Sequence, residues 1–118
     1  MKKINNQFWQ RIDTLVASSK IIIDRPKGTA HPKYPSFIYP LDYGFLENTN
    51  ASDGQEVDIW QGSLKKKTAT AILCTIDILK NDVETKILIG CSLEEEKTIL
   101  KVMNSAFMSA FIIPRPNI

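Results

Sequence analysis

From Asn5 to Ser18 apolar residues recur at three- and four-residue intervals, with Phe8, Trp9, Ile12, Leu15 and Val16 on one side and Gln7, Gln10, Arg11 and Asp13 on the other. That spacing predicts an amphipathic helix. The period then changes. Ile21-Ile22-Ile23 is a β-branched run that ends at Asp24-Arg25-Pro26-Lys27-Gly28, where proline removes a ladder donor and glycine permits a reversal, so a strand should run into a loop. Four prolines between Pro26 and Pro40 keep that segment extended or turning rather than helical.

A second strand is predicted over Val57 to Gln61, after the turn marked by Asp53-Gly54. Residues 69 to 90 read as a hairpin, with Ala71 to Leu79 and Val83 to Gly90 as strands and Lys80-Asn81-Asp82 at the bend. If Lys80 opposes Val83, then Cys74, Ile76 and Ile78 share a face with Thr85, Ile87 and Ile89, and this apolar face should pack inward. The opposite face collects Asp77, Leu79, Glu84 and Lys86. Three ionisable groups there form either a surface ion-pair ladder or part of a polar pocket, and pattern alone favours the ladder.

The last predicted element starts at Ser92, whose hydroxyl can cap while Glu95 completes a capping box. Leu93, Ile99, Leu100, Met103, Ala106, Phe107 and Ala110 mark the apolar stripe of a helix of about five turns at 3.6 residues each, stopped by Ile112-Ile113-Pro114-Arg115-Pro116. The order helix, strands, helix suggests an α+β fold with a curled antiparallel sheet flanked by helices. No repeat and no low-complexity segment interrupts it.

Composition narrows the function classes. At 118 residues the chain is read as one domain, spanning 1–118. Hydrophobic residues at 43% and charged residues at 24% are ordinary soluble usage, which argues against disorder. No apolar run reaches the roughly 18 residues of a spanning helix, and Met1-Lys2-Lys3 runs into Asn5-Asn6-Gln7 rather than an apolar signal core, so no membrane association and a cytoplasmic location are expected. A formal charge of +2, with Lys65-Lys66-Lys67 isolated between strands, gives no nucleic-acid surface. Cys74 and Cys91 lack CxxC spacing and read as reduced structural thiols.

The chemistry centres on Asp53 and Asp58. Oxygen-only ligands suit a hard cation, and Mg²⁺ is bound through one or two carboxylates plus substrate phosphate. An Asp-Gly pair is equally an ordinary turn. The wider constellation comprises Asp24, Lys27 and Lys33 in the Pro-rich region, Tyr43 before Gly44, then Asp53, Asp58, Glu84 and Lys86. With these elements in order, the chain resembles the soluble, Mg²⁺-dependent inorganic pyrophosphatases built on a small five-stranded barrel. The family's acidic residue before a Pro-containing loop and its Lys-Tyr correspond to Asp24, Pro26, Lys33 and Tyr34. Its Tyr-Pro-x-x-Tyr-Gly-Phe/Tyr element is similar to Tyr39-Pro40-Leu41-Asp42-Tyr43-Gly44-Phe45. Its metal loop matches Asp53-Gly54-Gln55-Glu56-Val57-Asp58-Ile59, and its Asp/Glu-x-Lys matches Glu84-Thr85-Lys86.

The resemblance spans about Ile21 to Ile89 and implies an OB-like antiparallel barrel of about five strands with N- and C-terminal helices. It implies that Asp53 and Asp58 hold Mg²⁺, with Mn²⁺ as a substitute, and that Asp24, Glu84 and Asp77 supply further carboxylates. Lys27, Lys33, Tyr43 and Lys86 would hold the phosphates of pyrophosphate, the small-molecule substrate. Metal-activated water would then cleave it to two phosphates. A homo-oligomer is also implied, and so small a fold gains from covering the apolar surface of its last helix.

The departures from the family pattern are specific. Where the family has the aspartate thought to accept the proton of the attacking water, Gln55 can hydrogen-bond but cannot take a proton. Glu56 falls on the same side as Asp58 in an extended strand and is the candidate replacement. A phosphate-binding arginine hairpin is missing between Tyr34 and Tyr39, Pro35 replaces an acidic residue, and a Tyr-Lys pair of the last helix is lost near Phe107 to Ser109. Two alternatives follow: a catalytically impaired protein that binds phosphate, or a hydrolase of an organic diphosphate. His31 reads as a solvated loop residue, and Trp9 and Trp60 as packing.

Overall fold

A computed structural model describes residues 6–116. The predicted first helix forms as α1 (Asn6–Ala17), Asn5 lying outside the described residues, and the isoleucine run forms β1 (Ile21–Arg25). Then follow β2 (Asp42–Leu46), β3 (Val57–Gln61), β4 (Ala69–Asp77), β5 (Asp82–Ile89), α2 (Leu93–Met103) and β6 (Met108–Pro114). The six strands make one sheet in the order β1-β2-β3-β5-β4-β6. All neighbours are antiparallel except β3 and β5, which run parallel.

Each helix covers one face. Trp9 and Val16 of α1, backed by Ile12 and Leu15, pack on Leu46, Ile59, Ile72, Ile87 and Ile89. Ile99 and Met103 of α2 pack on the opposite face against Trp60, Leu73 and Leu88, with Tyr39 and Leu41 at the margin of the same cluster. The central strands are therefore apolar on both sides, which is why Ala71-Ile72-Leu73 and Ile87-Leu88-Ile89 show no alternation. The end of β6 is tied to α1 by Arg115, whose Nη1 and Nη2 donate to Asp13 Oδ1 and Oδ2 at 2.6 and 2.7 Å.

The expected five-stranded antiparallel barrel is corrected to an open six-stranded mixed sheet. The parallel step arises because the chain leaves β3, lays down β4 one strand further out, and returns as β5 into the gap between them. Gly62 lets this crossover pass. A Cβ there would collide with the Gly90 carbonyl and sit 2.6 Å from Cys91 Cα.

The long last helix is also corrected. It begins as predicted, with Ser92 Oγ accepting from the Glu95 N–H at 3.2 Å and Glu95 Oε1 accepting from the Ser92 N–H at 2.8 Å, but it stops at Met103. Asn104 then reverses the chain: its amide donates to the Leu100 and Ala110 carbonyls, both at 3.0 Å, and accepts the Ala110 N–H at 2.9 Å. Ala106, at φ 55°, lies in the turn, Phe107 ends it, and Ala110 lies in β6. The residues 108–114 carry two periods at once, and pairing with β4 favours the strand because it satisfies backbone groups along an exposed sheet edge.

The hairpin register differs from the expected one. Asp77 opposes Asp82, Ile76 opposes Val83 and Cys74 opposes Thr85, so the bend sits earlier, around Ile78 to Asn81. Both registers give the same division into faces, but burial does not follow apolarity along the hairpin. Ile76 is 45% exposed and Val83 69%, whereas Lys86 on the opposite face is only 6% exposed. The polar face thus turns inward at Lys86, which is buried and ion-paired to Asp58 and Glu84, rather than forming a surface ladder.

Candidate functional site

The site is built on the α2 face of the sheet, where Tyr43, Asp58, Glu84 and Lys86 project from β2, β3 and β5. Phe45 opposes Asp58 and Tyr43 opposes Trp60, so alternation puts Tyr43, Asp58 and Trp60 in place, while the parallel β3–β5 pairing brings β5 alongside. Lys86 Nζ donates to Tyr43 Oη at 2.9 Å and to Asp58 Oδ2 at 3.0 Å, and lies 3.5 Å from Glu84 Oε2. Burial lowers the pKa of the ammonium, but the Tyr43 oxygen, Asp58 and Glu84 outweigh it and raise the pKa overall. Burial likewise raises the pKa of the Tyr43 phenol, with the Asp58 charge adding to it. The result is a fixed cation, a neutral phenol and two partly exposed carboxylates at 35% and 31%.

An aromatic wall stands beside this cluster. The Tyr43 ring lies 4.8 Å from Trp60 and 5.5 Å from Tyr39, and Tyr39 is followed by Phe37 and His31 at 5.1 and 6.2 Å. His31 orders the Pro-rich loop. Its Nδ1 accepts the Lys33 and Tyr34 N–H groups at 3.0 and 3.3 Å, so this half-exposed loop residue also holds the turn together. Burial, then Arg25, Lys80 and Lys33, keep its pKa below the ordinary histidine value.

The β1–β2 ladder contains a bulge. Ile23 opposes Gly44, but the next pair is Arg25 with Tyr43, leaving Asp24 as the extra residue. Asp24 is consequently exposed and outside the cluster, and Arg25 takes the position across from Tyr43. Sequence reasoning did not single out Arg25. Its only signal was the dipeptide Asp24-Arg25 at the end of a strand, which cannot say which of the two faces the site.

Asp53, Glu56, Asp58 and Glu84 all line one cavity of about 240 Å³ on the α1 side of the sheet, with Ile12, Leu15, Ile72 and Ile87; Tyr43 and Lys86 do not line it, and Asp58 and Glu84 are the residues common to it and to the Lys86 cluster. Within it, Asp53 Oδ1 accepts the Gln55 N–H at 2.9 Å and so closes its own turn. Gln55 itself is exposed and does not line the cavity. Lys27 and Lys33 are exposed, and the Lys27 N–H is bound by Asp42 Oδ1 at 2.8 Å. Asp77 accepts the Leu79 and Lys80 N–H groups at 2.9 and 3.2 Å at the hairpin bend.

The family resemblance implies a divalent cation, and the donor set can be tested against one. Among the described residues no three His, Cys, Asp or Glu side chains are grouped to close a metal cage. The cavity carboxylates are nonetheless all oxygen donors, and Mg²⁺ needs only one or two of them when substrate phosphate and water complete its shell. On donor chemistry the cavity therefore fits such an ion held jointly with a substrate.

No protein-family model matches the sequence, and no curated protein matches it. Solved structures do. The fold is similar to an inorganic pyrophosphatase from Helicobacter pylori, at 16% identity and a TM-score of 0.57, covering 80% of this chain and 81% of that one. An inorganic pyrophosphatase from Neisseria gonorrhoeae matches at 15% identity and TM-score 0.57 over 75% and 77% of the two chains. One from Coxiella burnetii matches at 16% and 0.57 over 80% and 82%. The likeness establishes a shared fold. Among the described residues no helix is long and apolar enough to cross a membrane.

Proposed function

We propose that this chain hydrolyses a phosphoanhydride, with inorganic pyrophosphate as the substrate. The observation that carries the reading is the buried Lys86 ammonium, held by Tyr43, Asp58 and Glu84, of which the two carboxylates also line the cavity on the α1 side, on a fold shared with inorganic pyrophosphatases. Lys86 and the Tyr43 hydroxyl bind one phosphoryl group, an oxygen of which takes the place of the long 3.5 Å Glu84 contact among the three ammonium donors, and the ammonium offsets the charge that grows on the leaving phosphate. Water adds to phosphorus as the bridging P–O bond breaks. Asp58 and Glu84 are engaged by Lys86 and Asp53 closes its turn, so Glu56 is the cavity carboxylate left to take the water's proton. Mg²⁺, held by Asp58, Glu84 or Asp53 together with the substrate, would supply charge neutralisation and a more acidic water.

Phosphate release from pyrophosphate in Mg²⁺, repeated with Mn²⁺, tests this. Asp58→Ala should lower the rate by about 10² or more, and an unchanged rate refutes the site.

Gln55 supports a second reading, a protein that binds pyrophosphate without turning it over, because an exposed amide stands where the family resemblance implies a base. Calorimetric binding with no phosphate release in any divalent metal would favour it. Self-association belongs to either reading: Ile76, Val83 and Phe111 are exposed on one face in linked register, and light scattering gives the mass.

A further inference from the structure

The cation opposite Tyr43 has no assigned task. Arg25 reaches that place through the β1 bulge, and a bulge re-aims side chains. Its Nη1 donates to Tyr39 Oη at 3.0 Å, and the guanidinium carbon lies 5.8 Å from the centre of the Tyr39 ring. That bond uses one of five N–H donors. Among the described residues no carboxylate pairs with Arg25, in contrast to Arg115, which Asp13 grips with both oxygens.

The His31 ring, stacked 6.2 Å from Tyr39, also senses the positive charge of Arg25. From there a continuous path leads inward: Arg25 to Tyr39, Tyr39 to Tyr43 at 5.5 Å between rings, and Tyr43 to Lys86 at 2.9 Å. Two half-buried or buried cations therefore stand at the two ends of a tyrosine pair. The inner one is paired with Asp58 and Glu84, and among the described residues no carboxylate pairs with the outer one.

Resting on the function proposed above, we infer that Arg25 is the second phosphate-holding cation, receiving the outer phosphoryl group of a diphosphate whose inner group is held at Lys86. A guanidinium suits this because its planar fork binds two phosphate oxygens at once and it never discharges. The site takes the diphosphate class: a ligand with one phosphoryl group reaches Lys86 alone, and one with two spans both cations.

Calorimetry with inorganic pyrophosphate and with orthophosphate as probes tests the inference. Arg25→Gln should weaken pyrophosphate at least about tenfold and orthophosphate less than about twofold, while Arg25→Lys should regain part of the loss. Lys86→Met should weaken both probes. If Arg25→Gln leaves pyrophosphate unchanged, or weakens both probes equally as a structural defect would, the inference is overturned while the function proposed for Lys86 stands. Wild-type protein that binds neither probe overturns both.

Discussion

Lys86 Nζ and Tyr43 Oη, 43 residues apart in sequence, form a 2.9 Å hydrogen bond in the interior of the sheet. Both groups keep their protons more strongly when folded, since both pKa values are raised. The unfolded chain therefore loses these protons first, near pH 10, and binds fewer than the native state above it. Stability from this pair is complete below about pH 10 and should fall as pH rises further. Tyr43→Phe should remove one tyrosinate absorbance step that, in the wild type, coincides with alkaline unfolding. A Tyr43 step at pH 10 in folded protein would contradict the buried bond.

Glu56 lines the cavity and takes the proton on the proposed reading, whereas Gln55 is exposed and outside it. Glu56→Gln should therefore lower phosphate release by about 10² to 10⁴, the contribution of a positioned base, and Gln55→Asp should change it less than about threefold. Stopped assays against the wild type measure both. A gain of about tenfold in Gln55→Asp with Glu56→Gln unaffected would move the proton to position 55.

Gly44 lies where β1 crosses β2, and a Cβ there would drive into the Ile22 carbonyl, a backbone atom that cannot turn aside. Gly44→Ala should cost about 3 kcal/mol or more, at the upper end of overpacking effects. Gly54, at φ 84°, meets nothing within 4 Å, so Gly54→Ala should cost about 1 kcal/mol from backbone strain alone. Urea midpoints at constant slope separate the two.

The two thiols should report burial separately. Burial, then Glu95 and Glu96, push Cys91 up to about 12, so it should resist a disulfide reagent until the fold opens. Cys74, half-buried, should be modified in the native protein. Two equivalents reacting together without denaturant would contradict the packing of Cys91.

Legibility followed the locality of the signal. The amphipathic period of α1, the cap at Ser92 and the strand at Val57 are each written in a few neighbouring residues, and each forms as expected. β2 was not foreseen because Asp42-Tyr43-Gly44-Phe45-Leu46 has a glycine and a charge inside a strand, and only pairing with β1 and β3 accounts for both. In the site, Tyr43, Asp58, Glu84 and Lys86 were named from sequence and lie together, whereas Asp24 does not join them.

By itself the sequence determined the helix faces, the cap, the strand alternation that divides Lys86 from Ile87, and which residue types could handle phosphate. Tertiary structure decided that α2 gives way to β6 at Asn104, that β5 runs parallel to β3, and that a single bulge presents Arg25 in place of Asp24. The reason is physical. Periodicity and capping are energies between near neighbours, while strand order, register and bulges are settled by backbone hydrogen bonds between segments far apart in the chain, of which no local window carries a trace.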